Sequence, residues 1–448
     1  MKKQLTIAII FIITQFTFLT QAQVINVHTS NELQSALNNA QAGHVITLDA
    51  NTTYSIATCT NCITNNGSGF KVPAGIHGTA TNPIKLKGVR SSVIASGDIN
   101  SKYGLHLQGN NYWVIEGFTV MTSSKCIMLD SSSHNIINDL KVIRSGYEAL
   151  HLRKFSCYNT VSNCYFDSTG LNASAASSGY AEAVYVGTAN SNWQQYSNSK
   201  IDTCDYNIIT KNTFGGNIKS ENIDIKEGTK WGVISKNTFN GLGCNGANSA
   251  DSYLDMKGDF YIIECNSGGN NGPNILDGLQ THINKITTKN GTVYNRNFGD
   301  YNTFRGNTVD MTGTAGYAIN VASYSGLVHN SVCTNNVAVN AALGLTNITT
   351  STCPTVVCNV TTGTANQHSI INSSIAPNPF SEQLVITTTA QTTMQKIELI
   401  DLNGNILLSN EVYTNELLLS TSAISTGIYV LKISYTNNTV ETRRVVKL

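Results

Sequence analysis

Seven six-residue units recur along the chain, and their spacing restricts the fold more than any other feature. They read Ile115-Glu-Gly-Phe-Thr-Val, Ile137-Asn-Asp-Leu-Lys-Val, Val161-Ser-Asn-Cys-Tyr-Phe, Ile209-Thr-Lys-Asn-Thr-Phe, Ile234-Ser-Lys-Asn-Thr-Phe, Ile263-Glu-Cys-Asn-Ser-Gly and Phe304-Arg-Gly-Asn-Thr-Val. Successive starts lie 22, 24, 48, 25, 29 and 41 residues apart. The interval of 48 is expected to hold two turns, and the other long intervals loop insertions. Each unit alternates apolar and polar residues, as a strand with one buried face does. A single strand cannot bury that face alone, whereas stacked copies can, which is the logic of a solenoid. Asn212, Asn237, Asn266 and Asn307 hold one place in the unit, where stacked amides hydrogen-bond along the axis. The Leu-x-x-Leu-x-Leu signature of leucine-rich repeats is absent. The expected fold is all-β: a right-handed parallel β-helix, a solenoid with turns of ~24 residues.

Both ends depart from the repeat. Met1-Lys2-Lys3, an apolar run from Leu5 to Leu19 and a small-residue exit at Ala22 describe a signal peptide over residues 1–22. The run is shorter than the ~20 residues a membrane span needs. Thr29 to Glu32 forms a capping box, and Leu33, Ala36 and Leu37 share one helix face. This predicts an N-terminal cap helix over the open end of the coil, followed by the strand Val45 to Leu48. The repeat domain is expected over residues 23–358 and a polar linker over 359–374. Residues 375–448 alternate as strands at Leu384 to Thr388, Ile397 to Asp401, Gly427 to Ser434 and Thr442 to Leu448, with a turn at Asp401-Leu402-Asn403-Gly404. That pattern is a small C-terminal β-sandwich.

Eleven cysteines are an odd number, so in an exported chain some pair and at least one is left over. Cys59 and Cys62 are expected to close a local disulfide, and Cys353 and Cys358 a short loop. The net charge of +1, with 12% of residues charged, argues against a nucleic-acid partner.

A second strand lies between the units in every turn: Leu105-His-Leu-Gln, Ile127-Met-Leu-Asp, Leu150-His-Leu-Arg, Val184-Tyr-Val-Gly, Ile223-Asp-Ile-Lys, Leu254-Asp-Met-Lys, Leu279-Gln-Thr-His and Ile319-Asn-Val-Ala. First and third positions point inward, second and fourth outward. Turns stack at about 4.8 Å, so outward positions form columns. One column reads His151, Tyr185, Asp224, Asp255 and Gln280, and the next Arg153, Gly187, Lys226, Lys257 and His282. A third, at the corner, reads Glu148, Glu182, Glu221, Ser252 and Asp277. Stacked like charges repel unless a cation or an ionic ligand compensates. Glu148, Glu182 and Glu221 would suit Ca²⁺, which takes several oxygen ligands. A lysine buried beside these acids is expected to have a lowered pKa and to act as a general base. Lys226, Lys257, Asp224 and Asp255 are the expected catalytic residues, with Arg153, His151, Tyr185, Gln280 and His282 contacting substrate. Such parts suit β-elimination on a uronic-acid polysaccharide: a cation neutralises the carboxylate, a base takes the C5 proton, and a second cation stabilises the enolate.

Three other readings of these columns stand. Asp224 and Asp255 on neighbouring turns could be the acid and base of a β-helix glycoside hydrolase. The solenoid could bind glycans without turnover, as an adhesin, with Tyr180, Tyr185, Trp193 and Trp231 stacking on sugars. Asp224–Lys226 and Asp255–Lys257 could simply pair and stiffen the sheet.

Two resemblances add to this. Pro377-Asn378-Pro379, Asp401 through Gly404, Gly427-Ile-Tyr-Val-Leu-Lys and the terminal Val446-Lys447-Leu448 resemble the type A sorting domain of the type IX secretion system. The resemblance implies a Bacteroidetes-type bacterium, the type IX machinery as partner, and release or attachment at the cell surface. Residues 28–340 are similar to polysaccharide lyases of the chondroitinase B and alginate lyase family, parallel β-helices with a Glu five residues before the catalytic Lys. Glu221-Asn-Ile-Asp-Ile-Lys226 repeats that spacing. The resemblance implies Lys226 as base and Lys257 as charge stabiliser or acid, in a monomer acting on an anionic polysaccharide. Lys219 stands where the family has a second acid, and Lys257 where it has an Arg. Both departures weaken the family's calcium site, although Glu182, one turn away, could partly substitute.

Overall fold

The structure is a computed structural model and describes residues 23–62, 67–289, 292–322, 329–353, 356, 358, 373–388, 393–401, 405–436 and 440–447. The expected signal peptide, nearly all of the expected linker and the turn residues Leu402 to Gly404 lie outside the described residues. The chain divides into two compact units, Met1–Ser351 and Thr352–Leu448.

In the first unit each turn gives one strand to each of three parallel sheets, which among the described residues hold nine, eleven and ten strands. One turn runs Leu105–Gln108, Trp113–Glu116, Thr119–Ser123, and the next repeats it at Ile127–Asp130, Ile136–Asn138 and Lys141–Ser145. This is the expected parallel β-helix.

Two details differ from the sequence reading. The six-residue unit is not one strand but a corner between two. In Ile209-Thr-Lys-Asn-Thr-Phe, one strand covers Ile208–Thr210 and the next Thr213–Phe214. The third residue of every unit turns the chain with positive φ: Gly117, Asp139, Asn163, Lys211, Lys236, Cys265 and Gly306. Gly, Asn and Asp adopt this region readily, but Lys211, Lys236 and Cys265 carry no such signature. The interval of 48 also holds one turn, not two, because Thr160–Ser162 pairs directly with Ile208–Thr210. The extra length is two excursions on either side of the strand Val184–Val186, containing short helices at Ala173–Ser177 and Trp193–Tyr196. The interval of 41 contains a hairpin, Asn284–Lys289 with Thr292–Phe298.

The asparagine ladder is present and reaches one turn further, to Asn336. Asn212 Nδ2 donates to Asn237 Oδ1 (3.1 Å), and the same bond links Asn237 to Asn266, Asn266 to Asn307 and Asn307 to Asn336. Each Nδ2 also donates to a backbone carbonyl, as Asn237 does to Ile209 O (2.9 Å). A second ladder at another corner joins Asn135, Asn159 and Asn207. It is interrupted where Gly232 makes room for the Tyr261 ring, whose Cε1 would lie 2.1 Å from an added Cβ. Beside it runs an aromatic stack, Tyr112–His134–Tyr158–Tyr206–Trp231–Phe260–Tyr301–His329, with centroids 4.4 to 5.9 Å apart.

The cap helix spans Ser30–Asn38, with Thr29 Oγ1 accepting from Glu32 N (3.2 Å). The Glu32 carboxylate takes the His28 N–H (2.7 Å). Leu33 and Leu37 are fully buried. Cys59–Cys62 is a disulfide. Cys265, Cys333, Cys353 and Cys358 are also in disulfides, while Cys126, Cys157, Cys164, Cys204 and Cys244 are free thiols.

The second unit has two antiparallel sheets, of three and four strands among the described residues. Leu384, Ile386, Leu399, Leu431, Ile433 and Val445 form its core. Strands Ser373–Ala376, Ile406–Thr414 and Glu416–Ser420 add to those read from the sequence. Asn378 of the Pro-Asn-Pro motif accepts the Val446 N–H (2.9 Å), tying the motif to the last strand.

Candidate active site

The nine-stranded sheet carries the columns. Its register pairs His151 with Tyr185, Tyr185 with Asp224, Asp224 with Asp255 and Asp255 with Gln280. These outward side chains are buried, Asp224 at 2% and Asp255 at 4% exposure, because loops rise over the sheet. Tyr180 and Asn192 from the two excursions, Asn248 from a third loop and Asn284 from the hairpin wall a cavity of about 540 Å³. Trp193, Ile286 and Phe298 form a satellite core that joins excursion to hairpin. The cavity floor is Asp224, Lys226, Asp255 and Lys257, with Tyr185 and His282 at its sides.

Each lysine is held by the aspartate two residues before it, Lys226 by Asp224 and Lys257 by Asp255. Lys257 Nζ also lies 3.5 Å from Asp224 Oδ1, and Lys226 Nζ 4.8 Å from the Tyr185 ring centroid. The expectation of a lowered lysine pKa is overturned. Burial lowers both, but for Lys226 the charges of Asp224, Asp255 and Glu182 outweigh it, and for Lys257 those of Asp224 and Asp255 do, so both are raised. Asp255 is held well below the usual carboxylate range: burial opposes this, and Lys257 and His282 prevail. A carboxylate so firmly ionised is poorly suited to be the general acid of a hydrolase.

His282 Nδ1 is 2.7 Å from Asp255 Oδ1, and that hydrogen bond, against burial, raises the histidine's pKa above 6.5. A raised folded value makes the pairing fully present below 6.5 and lost as pH climbs through the raised value. Substrate affinity owed to this imidazolium is expected to decline across that window. The pH profile of KM should show the decline in the wild type and be flat there in His282→Gln.

The crowded acids differ from the expected set, with Glu182 and Glu221 from the corner column and Asp224 from the column beside it. Ligand oxygens of Glu182, Glu221 and Asp224 lie within 4.8 Å of one another, all buried. Glu148 is not part of this set and pairs instead with Lys125. Burial and then the charge of Glu148 push Glu182 up to about 8, and burial with Asp224 pushes Glu221 well up. Glu182 Oε2 is buried without a hydrogen-bond partner. Three crowded carboxylates with one orphaned oxygen form an all-oxygen donor set of the kind a hard divalent cation takes.

Arg153, His151 and Glu148 lie apart from the lysines, in a second cavity of about 330 Å³ on the same sheet, with Tyr180, Tyr185 and Asn192 lining both. Arg153 Nε donates to Asp130 Oδ1 (2.6 Å) and its guanidinium stacks on Tyr196, 4.2 Å from the centroid. Gln280 donates to Asp277 (3.2 Å) and lines neither cavity. Of the aromatic residues expected to stack on sugars, Tyr180 and Tyr185 reach the cavities. Trp231 has both faces taken, by Tyr206 and Phe260, and Trp193 is fully buried against Phe298. The sequence reading missed Lys125 and Asp130, although both stand in the columns one turn before Glu148 and Arg153.

Comparison with known proteins places the two units. Residues 374–447 match the secretion system C-terminal sorting domain. No curated protein sequence matches the chain. Among solved structures, the alginate lyase from Paenibacillus sp. str. FPU-7 is 32% identical, with a TM-score of 0.61, over 72% of this chain and 97% of that one. The chain belongs to the family of that enzyme. This polysaccharide lyase is also similar to the PL6 family polysaccharide lyase from Pseudopedobacter saltans, at 17% identity and a TM-score of 0.41 over 73% and 87% of the two chains. A pectate lyase, Pel9A, matches at 15% and 0.45 over 71% and 81%. The lyase carries its sorting domain for type IX secretion and is secreted or attached to the cell surface.

Proposed function

We propose that the lyase cleaves uronic-acid polysaccharide by β-elimination, with alginate the first candidate substrate, in the cavity floored by Lys226 and Lys257. The observation that carries this reading is the pair of half-buried lysines on adjacent turns, each oriented by its own aspartate. Acidity at C5 of a uronate depends on neutralising the carboxylate and spreading charge into it. Lys257, held cationic by Asp255 and Asp224, faces that charge, and His282 adds a second cation at the rim. Lys226, between Asp224 and the Tyr185 ring, is the proton-transfer residue at C5. The excursions and the hairpin wall the cavity, and partial shelter from water strengthens each of these interactions.

Glu182, Glu221 and Asp224 would hold a divalent cation such as Ca²⁺. Bound there, it would neutralise the anions that keep the proton on Lys226. Adding Ca²⁺ to the full chain is therefore expected to raise its unfolding temperature, by the equivalent of ~2.7 kcal/mol at one hundred times the dissociation constant. Glu221→Gln should remove most of the shift.

The reading is tested by digesting alginate, pectate, glucuronan, and chondroitin and dermatan sulfates, with and without EDTA, while following the ultraviolet absorbance of unsaturated products. Product from alginate, reduced by EDTA, is the expected result. Absence of product from every uronate polymer would overturn the reading.

A further inference from the structure

The smaller cavity has a chemistry that the elimination does not use. His151 and Glu148 both line it and are 6% and 5% exposed. His151 Nε2 donates to Gly187 O (3.0 Å), which fixes the tautomer and leaves Nδ1 as a lone-pair acceptor. Nδ1 is buried and has no partner. Burial, then Lys125, push the imidazole pKa down to about 3, so the ring is neutral. Its 3.6 Å separation from Glu148 Oε1 is then a gap between two acceptors, not an ion pair. Lys125 occupies the other Glu148 oxygen. His151 Nδ1 is thus a buried acceptor without a donor, which is costly to leave unsatisfied, and Glu148 Oε1 lies beside it.

We propose that this cavity is a second sugar subsite that reads free hydroxyl groups, with adjacent hydroxyls of one ring donating to His151 Nδ1 and Glu148 Oε1. The inference rests on the proposed uronate substrate and narrows its class. A uronate unit with unmodified ring hydroxyls fits. A unit esterified there has no proton to give, and a sulfate ester would also set an anion against Glu148. His151 is two turns from Asp224 along the sheet, about 10 Å at the usual strand spacing, so the subsite takes a different unit of the polymer from the one that reacts. Tyr180, Tyr185 and Asn192 line both cavities, which therefore adjoin one another. The Arg153 guanidinium, paired with Asp130 and stacked on Tyr196, forms a rigid side of the cavity.

The test is calorimetric binding of alginate oligosaccharides, native and O-acetylated, to the full chain carrying Lys226→Ala, which stops turnover. Acetylation is expected to weaken binding about tenfold or more. Adding His151→Phe should weaken binding of the native oligosaccharide by a similar factor and abolish the discrimination. His151→Gln, whose amide offers both a donor and an acceptor, should restore part of it, and unfolding midpoints close to the parent's would show that the variants fold. Equal affinity for native and acetylated ligands, or discrimination that survives His151→Phe, would overturn the subsite. If the wild type yields unsaturated product while discrimination is absent, only the subsite fails. If no uronate oligosaccharide binds or is cleaved, the proposed function fails with it.

Discussion

Lys226→Ala is expected to lower kcat on the uronate substrate by ~10²–10⁴-fold, the usual worth of a positioned proton-transfer group, while substrate binding persists. The side chain is half-buried on the cavity floor and touches Asp224 and the Tyr185 ring. Its loss leaves Asp224 with Lys257 at 3.5 Å, so the local charge changes without leaving that acid isolated. Steady-state kinetics together with calorimetric binding separate the two effects. A large fall in kcat with unchanged affinity supports proton transfer, whereas a rise in KM alone would make Lys226 a binding cation. Lys257→Ala should instead raise KM and lower kcat together, because a cation facing the carboxylate acts on both ground and transition states.

The largest effect on stability is expected from the asparagine ladder. Asn237→Ala removes the acceptor of the Asn212 N–H (3.0 Å) and Nδ2 (3.1 Å), and the donor to Ile209 O (2.9 Å) and Asn266 Oδ1 (3.0 Å). Asn212, Ile209 and Asn266 are all at most 2% exposed, so water cannot replace the lost bonds. At ~1–3 kcal/mol for each buried group left unsatisfied, the cost is about 3–5 kcal/mol. Thr238→Ala, the next residue and exposed, should stay within about 0.5 kcal/mol of the wild type. Urea unfolding midpoints of the two variants make the comparison, and equal midpoints would mean that the ladder contributes little. The loss should concentrate at the interface between neighbouring turns, since a solenoid turn touches only its neighbours.

Much of this architecture was legible because a strand's period of two and a coil's repeat are both written in the order of residues. The inward Leu, Ile and Val of the nine-stranded sheet fixed its register, and with it the columns holding Asp224, Asp255, Lys226 and Lys257. The corners were misread because Lys211 and Lys236 adopt positive φ without Gly or Asn to announce it. The turn around Val184–Val186 was miscounted because two excursions lengthened it without adding a strand to the other two sheets. The composition of the acidic triad could not be read from spacing. Glu148, which pairs with Lys125 from one turn away, falls outside it, and Asp224 from the neighbouring column falls inside it. The direction of the lysine pKa was misjudged for a related reason. Burial alone lowers it, but the charges of Asp224, Asp255 and Glu182 decide the sign for Lys226. The cavity walls, Tyr180, Asn192 and Tyr196, sit on excursions with no period to read.

The most direct test of a lyase site on this face is a count of products per cleaved bond. Alginate digested by the wild-type chain is assayed in parallel for new reducing ends and for new unsaturated ends. β-Elimination predicts one unsaturated end for every reducing end from the first time point, and neither from Lys226→Ala. Reducing ends without unsaturation would mean that water, not a base at C5, breaks the chain, and would contradict the account.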